Sequence, residues 1–322
     1  MVQDNGGAIA QRGFNYQNHV ISLVAIRNYC KNKFEIYVES DDDFEVVYDD
    51  NYHAYIQVKG MKRVSITRLL QKEKDNCSIF EKHFTSGDQH SKYKIVVFHF
   101  NQAELLKMNV NTSEELFERS WKFSTEQTNE ILAKLGTDFG AKLDNFSLVK
   151  TAFCNDFSEA RTYLKGELIT QEISVDGRDD IILDELDRLI KQKSEYIIKN
   201  EDDKKLKRIS AVELKPILKK ISSKALFESE LDKFPFTPYK KAKIKKEEVK
   251  IILNYMYDKR KVIGLLESDK DRLETKHLIE IAEEIINCDI LQHLDYDARY
   301  AIVISAYCDI IEGVANEPIN HP

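Results

Sequence analysis

The sequence predicts a mixed α/β (α+β) fold, in which an N-terminal sheet domain precedes a mainly helical region. Two observations predict it. Helix-like and strand-like segments alternate over residues 1–154 in the order α-β-β-β-α-β, with further elements after them. From about Asn155 onward, apolar residues instead recur every three or four positions. We therefore expect a sheet domain over residues 1–154 and a helical domain over residues 155–322.

Taken in order, the first domain opens with a helix from Ala8 or Phe14 to Cys30, because its apolar residues have helical spacing. Three closely spaced strands then form a meander, since apolar and β-branched residues alternate and Asp50-Asn51 supplies a turn. Asn111, Thr112 and Ser113 precede acidic residues, as at a helix start. The predicted strands are 33–40, 42–50, 51–60, 91–100 and 145–154, and the predicted helices 65–84 and 109–123.

The second domain contains three amphipathic helical stretches, at residues 180–198, 245–266 and 278–294. Residues 233–239 form a loop with two of the five prolines and separate two helical groups. No repeat of fixed period is visible. We expect this domain to mediate assembly or partner binding.

Composition narrows the class of protein. The 322 residues are 42% hydrophobic and 32% charged, and no run reaches the roughly 18–20 apolar residues of a membrane span. The N-terminus lacks the basic and apolar regions of a secretory signal. Five scattered cysteines, with no CxxC pair, favour reduced thiols and a cytoplasmic location. The nucleotide-binding patterns GxxxxGK[ST] and GxGxxG and the zinc-protease pattern HExxH are absent from the sequence.

Charge is unevenly distributed. The net charge is −7, yet residues 204–250 hold fifteen Lys or Arg against six Asp or Glu, which leaves −16 on the remainder. Such a basic segment is a candidate for binding phosphates, and a solvated helical surface is the alternative. The five lysines in "YKKAKIKKEE" are the DNA-binding candidates: Lys240, Lys241, Lys243, Lys245 and Lys246.

Three residues on neighbouring strands suggest phosphodiester hydrolysis. This chemistry needs oxygen ligands that hold Mg²⁺ (or Mn²⁺) against the scissile phosphate, together with a cation that offsets developing charge. Asp43 begins one strand. Gln57 and Lys59 are two residues apart on the next strand, so pleating directs both side chains to one face. We predict Asp43 and the Gln57 amide oxygen as metal ligands, and Lys59 as the cation that contacts phosphate or acidifies the attacking water.

The order of these motifs resembles a known family. A helix, a strand, an acidic cluster and a strand ending in Gln-x-Lys follow one another in PD-(D/E)XK nucleases of the Mrr-like variant. More closely, "GGAIAQRGFNYQ", "VESDDDFEVV" and "YIQVKG" resemble the double-stranded-DNA endonuclease domain of bacterial anti-phage effectors, known from CBASS and from the Lamassu effector subunit. The resemblance covers about residues 6–100 and implies a restriction-endonuclease-like fold.

The resemblance also implies roles for further residues. In the family pattern a Glu precedes a pair of Asp by three residues, which matches Glu39, Asp42 and Asp43 here. Glu39 then joins the catalytic set and Asp42 becomes a further candidate metal ligand. Gln17, in the first helix, matches a position that borders the active site.

The C-terminal region departs from CBASS effectors, whose C-terminal α/β domain senses a cyclic oligonucleotide. A helical region favours the Lamassu effector, which is held by an SMC-type ATPase and an accessory subunit. The resemblance thus implies double-stranded DNA as substrate, a defence complex as partner and a homo-oligomer as the active form. We expect a chain lacking residues 155–322 to be soluble but poorly active.

Other functions stay open at this stage. The nuclease-like domain could bind DNA or a partner without cutting, as a silent adaptor subunit. It could also cut RNA or single strands, since the residues do not discriminate among nucleic acids. His53, His99 and Trp121 are expected to be surface or core residues.

Overall fold

The computed structural model describes residues 5–72, 77–175, 177–219 and 221–311. The chain divides into two compact units. The first comprises Met1–Gln171 and Val175–Lys215, and the second comprises Glu172–Ser174 and Pro216–Pro322. The boundary near residue 215 thus lies about sixty residues beyond the predicted one at residue 154.

The first unit is built on an eight-stranded sheet with the order β5-β6-β7-β4-β3-β2-β1-β8. β3, β4 and β7 run parallel to one another, and the remaining neighbours are antiparallel. The strands are β1 (Glu35–Val38), β2 (Phe44–Tyr48), β3 (Tyr52–Lys59), β4 (Lys92–Val97), β5 (Asn109–Glu114), β6 (Glu118–Lys122), β7 (Phe146–Lys150) and β8 (Arg208–Ser210).

Helices cover both faces of this sheet. α1, α7 and α8 pack together, and α1 contacts β3. On the opposite face, Leu69 and Phe80 join the strand residues Tyr93, Ile95 and Phe146 in one apolar core. The helices of this unit are α1 (Gly6–Asn28), α2 (Ile66–Leu70), α3 (Ile79–His83), α4 (Gln102–Leu105), α5 (Thr125–Leu135), α6 (Gly140–Asp144), α7 (Phe157–Thr170), α8 (Asp179–Ser194) and α9 (Ala211–Leu214).

The predicted meander is present. Phe44 pairs with Ile56 across β2 and β3, and Val38 pairs with Phe44 across β1 and β2. This register brings the residue before Phe44 next to the end of β3, so Asp43 faces the segment that contains Gln57 and Lys59. The mixed α/β fold class predicted from the sequence is confirmed.

The predicted helix over residues 109–123 is wrong, because this segment forms the hairpin β5–β6. Pairing with the sheet outweighs local propensity here, since Trp121 pairs with Leu148 on β7. Glu114 turns inward: its side chain forms an ion pair with Lys94 and accepts hydrogen bonds from the backbone N–H groups of Leu116 and Phe117. An acidic residue that suggested a helix start therefore anchors a turn.

The predicted helix over residues 65–84 is instead two short helices, α2 and α3, and residues 73–76 lie outside the described part. A capping box begins α3: Ser78 Oγ accepts from the N–H of Glu81, and the Glu81 carboxylate accepts from the N–H of Ser78. This second start places His83 at the end of a separate helix.

The later boundary has a physical cause. α7 and α8 bury Leu164 and Leu186 and pack on α1, and the Arg27 guanidinium on α1 binds the Glu167 carboxylate on α7. β8 then extends the sheet, with Ile209 paired to Ile36 and almost fully buried. Residues 155–171 and 175–215 thus complete the first unit.

The second unit is helical. Its apolar core includes Phe227, Ile244, Val262, Ile281 and Ile302. Pro238 begins α11 after the predicted loop, where Thr237 Oγ1 accepts from the N–H of Lys240. A π-helical turn, Ile251–Tyr255, joins α11 to α12. The helices are α10 (Ile221–Asp232), α11 (Pro238–Lys250), α12 (Met256–Ser268), α13 (Lys270–Thr275), α14 (Leu278–Ile285) and α15 (Tyr296–Ile311).

Among the described residues, none of the helices combines the length and the apolar character needed to cross a membrane.

Candidate active site

The carboxyl end of β3 and the start of β2 bring together the three residues predicted from the strand pattern. Asp43 Oδ2 accepts a 2.6 Å hydrogen bond from the N–H of Val58, between Gln57 and Lys59. Lys59 Nζ lies 4.0 Å from the same oxygen. Asp43, Gln57 and Lys59 therefore lie close together where β2 begins and β3 ends.

The Asp43 carboxylate is held in an unfavourable environment. Only a quarter of its side chain is exposed. Burial raises its pKa to about 6, against the lowering effects of Lys59 and the Val58 N–H, while Asp42 and Glu39 raise it further. A bound cation stabilises such a buried carboxylate strongly, because its positive charge compensates for the hydration that the carboxylate loses on burial.

Gln57 carries an unpaired acceptor. Its Oε1 is buried and has no hydrogen-bond partner among the described residues. An amide oxygen without a partner costs free energy unless it binds something, so this atom suits a metal ligand.

These residues fit a Mg²⁺ ion, whose preferred ligands are oxygens. Asp43 Oδ and Gln57 Oε1 would hold the ion, while the substrate phosphate and water would supply its remaining oxygen ligands, as at Mg²⁺ sites in general. Within the described residues there is no group of three or more His, Cys, Asp or Glu side chains suited to a metal. This site would therefore depend on one carboxylate, one amide and the substrate.

Glu39 and Gln17 form the second layer around Asp43. Gln17 Nε2 donates to Glu39 Oε1 at 2.6 Å and to the Asp43 carbonyl at 3.3 Å. The Glu39 N–H in turn donates to that carbonyl, and Glu39 adopts a positive φ of 51° to close the loop. Gln17 thus borders the loop of residues 39–43, which joins β1 to β2, and Glu39 helps to fix the shape of this loop.

Both carboxylate oxygens of Asp42 are already bonded within the protein, unlike those of a ligand that is free to bind a metal. Its Oδ2 pairs with Nδ1 of His83 at the end of α3, and its Oδ1 accepts from the N–H of Asp43. Both side chains are almost fully buried. The nearby His83 was not identified from the sequence, where α3 was predicted only as the C-terminal end of one long helix over residues 65–84. As a metal ligand, Asp42 remains a prediction that would need this pair to open.

A second buried cluster lies just after the loop, on β2. Glu45 is 1% exposed and accepts from Ser40 Oγ, the Asp41 N–H and Lys204 Nζ, and it pairs with His53. Burial alone would raise the pKa of Glu45, but its hydrogen bonds with His53, Lys204 and Ser40 lower that pKa to about 2. Sequence analysis did not single out Glu45, although an acidic residue between the two apolar strand residues Phe44 and Val46 was an available signal.

The lysine cluster of α11 is largely neutralised within its own unit. Lys240 forms an ion pair with Asp297, Lys241 with Asp232 at 3.1 Å, and Lys245 with Glu228 at 3.0 Å. Lys243 lies over the Tyr239 ring, and Lys246 is exposed. Of the five predicted DNA contacts, Lys243 and Lys246 are the two without an ion pair among the described residues, and DNA binding by the set remains a prediction.

Two comparisons with known proteins give a match. Residues 5–116 match the family described as the Cap4 dsDNA endonuclease domain. Over 319 residues the chain is 34% identical to the Lamassu protein LmuA of a Bacillus species, covering 96% of this chain and 99% of that protein.

The chain belongs to the LmuA family. Its matched nuclease segment contains Gln17, Glu39, Asp43, Gln57 and Lys59 together. The similarity to LmuA extends over the helical unit as well, so the family relationship covers both units. No solved structure matches this chain.

Proposed function

We propose that this chain is a metal-dependent DNA endonuclease and acts as the effector of a Lamassu-type defence system. The observation that carries the proposal is the convergence of Asp43, the unpaired Gln57 Oε1 and Lys59 at one sheet edge, inside a segment that matches a dsDNA endonuclease family. As the sequence resemblance implies, the proposal includes restraint by an SMC-type ATPase and an accessory subunit.

Each residue has a distinct part in the reaction. Asp43 and Gln57 would hold Mg²⁺, which would orient the scissile phosphate and offset its charge. Lys59 supplies a point charge beside the phosphate, stabilising the anionic transition state or favouring deprotonation of the attacking water. Its 4.0 Å separation from Asp43 keeps the ammonium close but not hydrogen-bonded, so its protons stay available to the substrate.

The surface around these residues suits a phosphate backbone. Lys59 and Lys150 are both in register with Val97, so they share one face of the sheet, two strands or about 10 Å apart. Lys62 and Arg63 follow β3 directly and are exposed, like Lys150. Lys62, Arg63 and Lys150, with Arg12 on α1, form no ion pair with another described residue. Such cations near the predicted reaction site are where DNA phosphates would bind.

α1 approaches this surface closely. A Cβ at Gly60 would lie 3.4 Å from the Tyr16 ring and 3.7 Å from the Cα of Gly13. Asn155 Nδ2 also donates to the Gly60 carbonyl at 3.2 Å. The turn after Lys59 thus lies within van der Waals distance of the first helix at Gly13 and Tyr16.

The decisive experiment is plasmid cleavage with Mg²⁺, with EDTA, and with the variants Asp43→Ala, Gln57→Ala and Lys59→Ala. We expect the wild type to nick and linearise supercoiled DNA, EDTA to stop it, and each variant to lose at least roughly 100-fold in rate, as when a transition-state donor is removed. Lys107→Ala, which changes an exposed lysine with no ion pair in the described part, is the matched control.

Parallel assays with single-stranded DNA and duplex RNA define the substrate class. Undiminished cleavage by Lys59→Ala would overturn the assigned mechanism. DNA binding without any metal-dependent cleavage by the wild type would instead support the silent adaptor.

A further inference from the structure

Lys204 reaches the loop that precedes β2 from a distant part of the chain. It lies in the 3₁₀ helix Glu201–Lys207, just before β8. Its Nζ is 2.7 Å from Asp41 Oδ2, 2.8 Å from Glu45 Oε1 and 3.0 Å from Glu45 Oε2. One ammonium thus bridges two carboxylates on either side of Asp43.

The remaining ties to this loop come from nearer residues. Gln17 binds Glu39 and the Asp43 carbonyl, His83 binds Asp42, and Ser86 Oγ donates to the Asp41 carbonyl at 2.7 Å. All of these residues fall within the matched segment 5–116. Lys204 lies almost ninety residues beyond that segment, yet it contacts the same loop.

The geometry makes Lys204 costly to lose. Glu45 is buried, so its carboxylate depends on bonded partners rather than water. The segment that carries Lys204 is itself fixed, because β8 pairs with β1 and Arg208 Nη1 lies 2.9 Å from Glu35 Oε1. The ammonium is therefore presented to the loop from a rigid edge of the sheet.

We propose that Lys204 is a positioning residue: it holds the Ser40–Asp43 loop in the shape that presents Asp43 to the metal. This inference rests on the proposed function for its link to cleavage. It implies that the segment 201–210, outside the nuclease family match, completes the nuclease site. Lys204 does not touch the reacting groups, and acts through Asp41 and Glu45.

The test compares Lys204→Met with Lys204→Arg, which restores the charge, and with Lys205→Met. Lys205 is exposed and its nearest acid, Asp202, is 3.7 Å away and exposed as well, so this variant is a matched control. Two quantities are measured: the Mg²⁺ concentration for half-maximal plasmid cleavage, and Mn²⁺ affinity by calorimetry without DNA. For Lys204→Met we expect both to weaken at least fivefold, with the maximal rate largely recovered at high Mg²⁺.

We expect Lys204→Arg to recover most of the loss and Lys205→Met to match the wild type. Hydrogen exchange at the amides of Glu39 and Asp41, which are bonded to Asp43 and Glu45, should accelerate at least fivefold in Lys204→Met. If the wild type does not cut DNA, the proposed function fails, while Mn²⁺ affinity and amide exchange still test the positioning role.

Asp41→Asn keeps the test valid if Lys204→Met unfolds. Asp41 is half-exposed, so this variant removes one partner of Lys204 and leaves Glu45 paired. We expect a smaller shift in the same direction. Wild-type metal affinity and amide exchange in Lys204→Met, or in Asp41→Asn if the first variant is unfolded, would overturn the inference.

Discussion

At the scale of single residues, the site consists of groups whose own environment disfavours their charge or leaves an atom unpaired. The pKa of Asp43 is raised to about 6, chiefly by burial, and Gln57 Oε1 has no partner in the described part of the chain. Both features cost stability in the absence of a ligand. Such strain is typical of functional sites, where folding alone would favour a better-satisfied arrangement.

His19, away from this site, gives a prediction on pH and stability. It lies on α1 with its ring near Phe153 and Phe157, and burial lowers its pKa to about 4, against the raising effect of Asp187. Between pH 6.5 and 4 the unfolded chain therefore binds the proton more readily than the folded one, so stability falls as pH falls. His19→Leu should remove this loss, which is at most about 3 kcal/mol.

Urea unfolding of wild type and His19→Leu at pH 7 and pH 4.5 measures the effect. The free energy of unfolding of the variant should improve relative to the wild type as pH falls, while shared contributions such as that of Asp43 cancel in the difference. His99→Leu removes an exposed histidine and serves as control. An identical pH response in wild type and His19→Leu would contradict the prediction.

Of the residues that the structure brings together at the candidate site, sequence reasoning named those that are close in the chain. Asp43, Gln57 and Lys59 lie on adjoining strands of one meander, so a turn and the strand pleat suffice to bring them together. His83 and Lys204 contact the same loop from 41 and 163 residues away. No local pattern encodes such contacts, because they depend on how α3 and β8 pack in the finished sheet.

At the scale of elements, the same limit explains the misassigned hairpin. The segment "NVNTSEELFERSWKF" has the polar start and acidic residues of a helix. Its conformation is decided instead by the neighbouring edge of β7 and by the buried ion pair of Glu114 with Lys94. β1, β2 and β3 were predictable because each pairs with its neighbour in sequence.

The cations that follow β3 and end β7 and the lysines of α11 are two alternative surfaces for DNA binding. We expect neutralising Lys62, Arg63 and Lys150 together to reduce the log–log salt slope of DNA affinity by roughly one unit for each phosphate that the protein no longer binds. Neutralising Lys240, Lys241 and Lys245 on α11 should leave the slope unchanged, because these lysines already pair with acids. The measurement is DNA affinity at several salt concentrations, with Lys59→Ala as the uncleaving background.

The α11 set is also the control, since it removes the same number of charges. If the salt slope of DNA affinity falls only when the α11 lysines are neutralised, the result would assign DNA binding to the helical unit. Lys243 and Lys246, the two α11 lysines without an ion pair among the described residues, are then the next to change.

At the scale of the whole molecule, the unit boundary predicts where the chain can be divided. A chain ending at residue 215 keeps α7, α8 and β8, so we expect it to fold and remain soluble. A chain ending at residue 154 exposes the face of α1 that α7 and α8 cover, and should aggregate, contrary to the expectation from sequence. Circular dichroism and thermal unfolding of both chains provide the measurement.

The same two chains test assembly through the helical unit. Light scattering should give more chains per particle, calculated as the measured mass divided by the mass of one chain, for the full chain than for residues 1–215. The same number of chains per particle would remove assembly from that unit, and a soluble, cooperatively unfolding chain of residues 1–154 would contradict the boundary.

The late position of Lys204 in the chain has a consequence for protein synthesis. Asp43, Gln57 and Lys59 leave the ribosome first, whereas β8 and the ammonium that binds Asp41 and Glu45 follow 145 residues after Lys59. At about 5–20 residues per second, that interval is on the order of 10 s. Throughout it, the nascent chain holds Asp43, Gln57 and Lys59 without the ion pairs of Lys204 that we propose to hold the Ser40–Asp43 loop. A cell making this protein thus completes the site only once most of the chain has been translated.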